Sequence, residues 1–147
     1  MPTNSVKQTV YFVSCVGQKE QRAFPAKDLY KSTWFKKARS LVESKQHTWF
    51  IISAKYGLIS PDEVINPYEQ TLNLMPINER RIWAEKVIVQ IIGSAPRMEQ
   101  AVFLAGKRYY EFIAPALEKR GIEVNLPIKN LGIGKQLQWM DQNHGKA

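Results

Sequence analysis

Hydrophobic positions along this chain fall into two alternating rhythms. Four short runs rich in β-branched and aromatic residues read as strands: Gln8–Ser14, Trp49–Ile52, Gln100–Ala105 and the shorter Glu123–Pro127. Between them the period lengthens to that of a helix. From Ala26 onward, Tyr30, Trp34, Ala38, Leu41 and Val42 share one face, and Lys31, Lys36, Lys37 and Arg39 lie mostly on the other. Asn78 is placed to cap a helix that turns Trp83, Val87 and Ile91 inward and ends at Gly93. A helix through Ile113 and Leu117, kinked or broken near Pro115, stops at Gly121. Gly132-Ile133-Gly134 opens the last helix, with Ile133, Leu137 and Met140 on one side.

Strand and helix in alternation predict an α/β fold: a three-layer sandwich around a short, mostly parallel four-stranded sheet, with residues 1–147 forming one domain. Such sheets bind ligands outside the carboxyl ends of their strands. The four ends deliver Ser14-Cys15, Ser53-Ala54-Lys55-Tyr56-Gly57, Gly106-Lys107-Arg108-Tyr109 and Lys129-Asn130-Leu131-Gly132. The topology therefore gathers Lys19, Lys55, Lys107, Arg108, Lys129 and Lys135 on one rim, with Tyr56, Tyr68, Tyr109 and Tyr110 among them. The densest stretch is Thr48–Thr71. Its strand stops at Ser53, Gly57 permits a positive φ and a close backbone approach, and Pro61 and Pro67 pin the loop that follows.

Charge sharpens this picture. Lysine and arginine number 21 against 13 acidic residues, a net charge of +8, and the isoelectric point is near 9.6. Such an excess favours anionic partners, nucleic acid above all and DNA in particular. Cations interleaved with tyrosines suit phosphate contact and base stacking. No apolar run approaches the roughly 20 residues that span a bilayer, and the polar start of the chain lacks a secretory signal, so a cytoplasmic location and no membrane partner are expected. The single cysteine excludes an internal disulfide. Two histidines and one cysteine offer no metal-ligand spacing, so neither a metal nor another cofactor is expected.

The motif S-A-K-Y-G-L-I-S-P-D-E-V-I-N-P-Y-E, together with V-S-C, P-A-K-D-L-Y-K-S-T-W-F-K-K-A-R and L-G-I-G-K-Q-L-Q-W-M, resembles a family of small uncharacterised bacterial and phage domains over almost the whole chain. That family is similar to the YaaA peroxide-stress family, in which a comparable G-L-Y-G and P-Y segment occurs. The resemblance implies DNA binding and protection against DNA damage, although this shorter chain has no room for the helix-hairpin-helix module of YaaA proteins. A fold-level analogy to the uracil-DNA glycosylase superfamily implies a reaction class, hydrolysis of an N-glycosidic bond, as in repair or in defence against foreign DNA carrying modified bases. The chain lacks that superfamily's G-Q-D-P-Y segment and has Gly17-Gln18-Lys19 after its first strand.

Three residues are candidates for chemistry. Asp28 suits a carboxylate that orients water or stabilises a cationic sugar, and equally a favourable charge near a helix start. Lys55, between a strand end and Tyr56-Gly57, suits a phosphate or a base carbonyl, against the alternative of a surface lysine. Glu69 is the second carboxylate, with a solvated loop charge as the simpler reading. The expected binding set is Ser14, Cys15, Lys19, Ser53, Tyr56, Gly57, Tyr68, Gly106, Lys107, Arg108, Tyr109, Lys129, Gly132, Gly134 and Lys135. Cys15 has no histidine in a paired motif and reads otherwise as a small buried residue. Tyr56 would stack on a base or pack under its loop. Gly132 and Gly134 suit a phosphate-cradling turn or simple turn geometry. Trp34, Trp49 and Trp83 are expected in the core, and Trp139 half-buried. A free nucleotide or nucleoside is the alternative substrate for the same crevice.

Overall fold

The computed structural model describes residues 7–14 and 17–145, so Cys15 lies outside the described residues. Strand β1 (Thr9–Ser14) sits at the centre of the main sheet, flanked by β3 (Thr48–Ser53) and β6 (Gln100–Leu104), both parallel to it. Beyond β6 lies parallel β7 (Glu123–Asn125), and beyond β3 lies antiparallel β4 (Gly57–Ile59). The sheet therefore has five strands, in the order β4-β3-β1-β6-β7. The expected four are all present, and the fifth is a hairpin return folded from what reads as loop. A second pair, β2 (Phe24–Pro25) and β5 (Val64–Ile65), is antiparallel.

Alternation along the strands divides the core in two. Val10 and Phe12 of β1 face one side with Ile52, Ala101 and Phe103, under α3 (Ile77–Ser94), α4 (Lys107–Tyr110) and α5 (Ile113–Lys119). Val13 faces the other with Ile51 and Leu104, under α1 (Ala26–Leu29), α2 (Thr33–Lys45) and α6 (Ile133–Asn143). The Phe12 and Phe103 rings stack at 5.0 Å between neighbouring strands. Among the described residues no helix is long and apolar enough to cross a membrane.

Three of the expected helices differ from the sequence expectation at their boundaries. The helix expected from Ala26 is interrupted at Tyr30, which is extended and bridges Lys19. Helix α2 restarts after Ser32, whose hydroxyl accepts the Phe35 N–H at 3.1 Å. Helix α3 begins after Pro76 rather than Asn78 and runs through Gly93 to Ser94. Pro115 occupies the first turn of α5, where its missing N–H costs nothing, and the break falls earlier at Glu111-Phe112. Trp83 is buried as expected, whereas Trp34 and Trp49 are half-buried like Trp139.

Gly57 holds the β3–β4 hairpin against α3. It has φ +73°, and a Cβ there would lie 2.3 Å from Gln90 Oε1. That same oxygen accepts the Leu58 N–H at 3.0 Å, so Gln90 satisfies a backbone donor on the edge strand. Gly57→Ala is expected to lower stability by at least about 1 kcal/mol, through left-handed strain and displacement of Gln90. Urea unfolding should show a lower midpoint with an unchanged slope.

Candidate functional site

The loop leaving β1 supplies one wall of the site. After β1 the chain passes to α1 and α2 on one face, and after β6 it passes to α4 on the other. Neighbouring parallel strands whose loops part in this way leave a crevice outside their carboxyl ends. Ser14 Oγ accepts the Gly106 N–H across that point at 3.4 Å. One strand over, Ser53 Oγ accepts the N–H groups of Lys55 (3.2 Å) and Tyr56 (3.0 Å), and its carbonyl accepts Trp83 Nε1–H at 3.0 Å. Both serines are buried, and these bonds make them supports that shape the turns.

Above this floor the chain builds a cleft of about 830 Å³ between residues 17–21 and residues 67–73. One wall is an extended strip. The Lys19–Tyr30 bridge, Glu20 N–H to Leu29 O (2.8 Å) and Lys31 N–H to Gln18 O (2.9 Å) hold it in place. The other wall follows Pro67 and carries Tyr68, Glu69 and Thr71. Tyr68 belongs to a group of three tyrosines, of which it alone lines the cleft. Tyr30 and Tyr68 are buried with their hydroxyls 2.8 Å apart, and Tyr56 meets Tyr68 edge-on at 5.5 Å. Lys19 Nζ sits 4.5 Å from the Tyr68 ring centroid and Lys55 Nζ 5.2 Å from that of Tyr56. The Tyr56 hydroxyl donates to Asn66 O at 3.3 Å, tying β4's turn to the 66–68 loop.

Of the expected set, Lys19, Tyr68 and Glu69 line the cleft, and Lys55 and Tyr56 join it through Tyr68. Lys107 and Arg108 are exposed on α4, which packs against the 3₁₀ turn Leu72–Leu74 that continues from the cleft wall. Tyr109 is buried against Trp83, edge-on at 5.9 Å, so it supports α4 instead of facing solvent. Gly57 makes its close approach to Gln90. Lys129, Gly132, Gly134 and Lys135 are exposed around the start of α6 and outside the cleft lining. A hydrogen bond from Trp34 Nε1 to Gln136 Oε1 (2.8 Å) holds that helix start beside the start of α2. A Cβ on Gly132 or Gly134 would meet nothing within 4 Å.

Asp28 is not at the cleft. Its carboxylate accepts from Arg39 Nη1 at 2.7 Å, and the same nitrogen donates to Lys27 O at 2.9 Å, which braces α1 against α2. Lys27 in turn pairs with Asp62 at 2.6 Å, and that carboxylate, by hydrogen bond first and charge second, raises the Lys27 ammonium above its ordinary range. None of Lys19, Lys55, Lys107, Arg108, Lys129 and Lys135 forms an ion pair among the described residues. The lining also includes residues that sequence reasoning passes over: Gln18, Glu20, Gln21, Gln70, Thr71 and Asn73. Gln70 and Thr71 follow directly on the N-P-Y-E motif, which is the one signal that pointed toward them.

A family model matches residues 10–142, and the chain therefore belongs to that family, described as a family of unknown function (DUF6884). No curated protein matches the chain.

The Tyr30–Tyr68 bond is a direct test of how the cleft floor is held. Tyr30→Phe and Tyr68→Phe are each expected to cost about 1 kcal/mol, and the double variant less than their sum, because both remove one bond. A double-mutant cycle by denaturant unfolding measures the coupling.

Proposed function

We propose that this member of the family binds nucleic acid, DNA by preference, and receives an unstacked nucleotide in the cleft outside β1. The observation that carries the reading is the set of rim cations without ion-pair partners beside tyrosine rings, Lys19 over Tyr68 and Lys55 over Tyr56. A cation left unneutralised at a surface keeps its field for an incoming phosphate, and the half-buried Tyr56 ring supplies flat apolar area for a base. The kinship with YaaA proteins implied by the central motif points the same way, toward DNA as the partner.

Hydrolysis of an N-glycosidic bond is a second reading, favoured by the carboxylate of Glu69 in the cleft wall. Water would attack the anomeric carbon as the bond to the base breaks. Glu69 would assist that water or the developing sugar cation, and Lys55 would hold phosphate or a base carbonyl. Asp28, engaged by Arg39, belongs to the brace between α1 and α2 in this scheme.

Anisotropy titrations with single-stranded and duplex DNA over a range of salt test the binding. Log affinity should fall linearly with log salt, and Lys19→Ala and Lys55→Ala should each reduce the slope by about one phosphate contact. Absence of binding at low salt would overturn the reading. Mass spectrometry of bases released from bacterial and modified phage DNA separates the two readings: release that Glu69→Gln abolishes establishes hydrolysis, and binding without release leaves a binding protein.

A further inference from the structure

The extended strip 18–21 lines two depressions. The first is the cleft already described. The second, of about 510 Å³, is lined by residues 18–22 together with Lys31. Lys19 and Glu20 border both. The two depressions differ sharply in charge. The second gathers three cations, Lys19, Arg22 and Lys31, against one carboxylate, Glu20. The first has one cation, Lys19, against two carboxylates, Glu20 and Glu69. A phosphate is therefore attracted to the depression with Arg22 and Lys31 more than to the first cleft.

Around those carboxylates the first cleft is lined by neutral amides and hydroxyls, Gln18, Gln21, Gln70 and Asn73 with Thr71. An ionised carboxylate only accepts hydrogen bonds. A base presented to Glu20 must therefore offer N–H groups on its edge. Guanine offers two side by side, its ring N–H and its amino group, matching the two oxygens of one carboxylate. Cytosine and adenine offer an amino group next to an acceptor. Thymine offers one N–H flanked by two carbonyls that would face the carboxylate. Glu20 is suited to such a role because its backbone N–H is fixed to Leu29 O at 2.8 Å and its side chain is half-buried on the strip.

We infer that the strip sorts one nucleotide into two subsites: the first cleft selects an amino-bearing base, guanine foremost, through Glu20, while Arg22 and Lys31 hold an adjoining phosphate in the second depression. This rests on the nucleic-acid reading above and adds a base preference to it. Lys19, bordering both depressions, reaches the same phosphate from the strip they share.

The test uses a short labelled oligothymidylate and the same strand carrying one central dG, dC or dA, titrated at about 50 mM salt, where phosphate contacts are strong. The wild-type protein should bind the dG strand about fivefold more tightly than the all-dT strand, the low end expected of a two-bond contact in an open cleft. Glu20→Gln should level that preference while dT affinity stays or rises, since a negative charge is removed. Arg22→Ala with Lys31→Ala should weaken all four strands by a similar factor and leave their order intact. Equal wild-type binding of all four strands would overturn the inference while leaving nucleic-acid binding in place. A dG preference that survives Glu20→Gln would overturn the role of Glu20. Failure to bind any strand would remove the inference together with the reading beneath it.

Discussion

Strand β1 is hydrogen-bonded on both edges to parallel partners, β3 on one side and β6 on the other. A parallel strand cannot return by a tight turn, so each connection must cross a face of the sheet, and helices cover both faces. The helices that follow β1 cover one face and those that follow β6 cover the other, so the two connections part at the strand ends. Ser14 and Gly106 meet where they part, and the loop after β1 supplies one wall of the cleft, opposite residues 67–73. The place where a ligand can sit follows from strand pairing before any side chain at the rim is considered.

The rim then departs from what stability alone favours. Like charges gathered without carboxylate partners repel one another, and a cation over a tyrosine recovers about 0.5–1 kcal/mol at an exposed site. The paired cations do structural work elsewhere: Arg39 joins α1 to α2, Lys37 joins α2 to Asp141 of α6 at 2.6 Å, and Arg80 reaches Met75 O at 2.7 Å at the start of α3. Cations without an ion pair also occur on helix surfaces, as at Lys36, Lys86 and Arg120; what sets the rim apart is that its unneutralised cations stand over tyrosine rings, Lys19 over Tyr68 and Lys55 over Tyr56.

Much of this was legible in the sequence because it rests on short-range pattern. Short runs of β-branched and aromatic residues located the parallel strands, and the strand-end rule drew attention to the loops that carry Lys19, Lys55 and Tyr56. What escaped depends on contacts between distant segments. The β4 hairpin has only three residues, and its edge N–H is satisfied by Gln90, more than thirty positions away. Asp28 reads like a catalytic carboxylate until Arg39 is placed beside it. Tyr109 follows a strand end like Tyr56, yet its helix turns it inward onto Trp83. Glu20 and Gln21 sit in a polar loop with no motif, and they reach the cleft because the Lys19–Tyr30 bridge fixes the strip.

The most direct measurement is residue-resolved mapping of a bound single strand. Amide chemical shifts would be recorded as a short single-stranded oligonucleotide is added to the labelled protein. The account predicts perturbations concentrated at residues 17–22, 55–56 and 67–73, with little change at the outward face of α3 or at the far end of α6. Perturbations centred away from the strand ends, or none at saturating oligonucleotide, would contradict it.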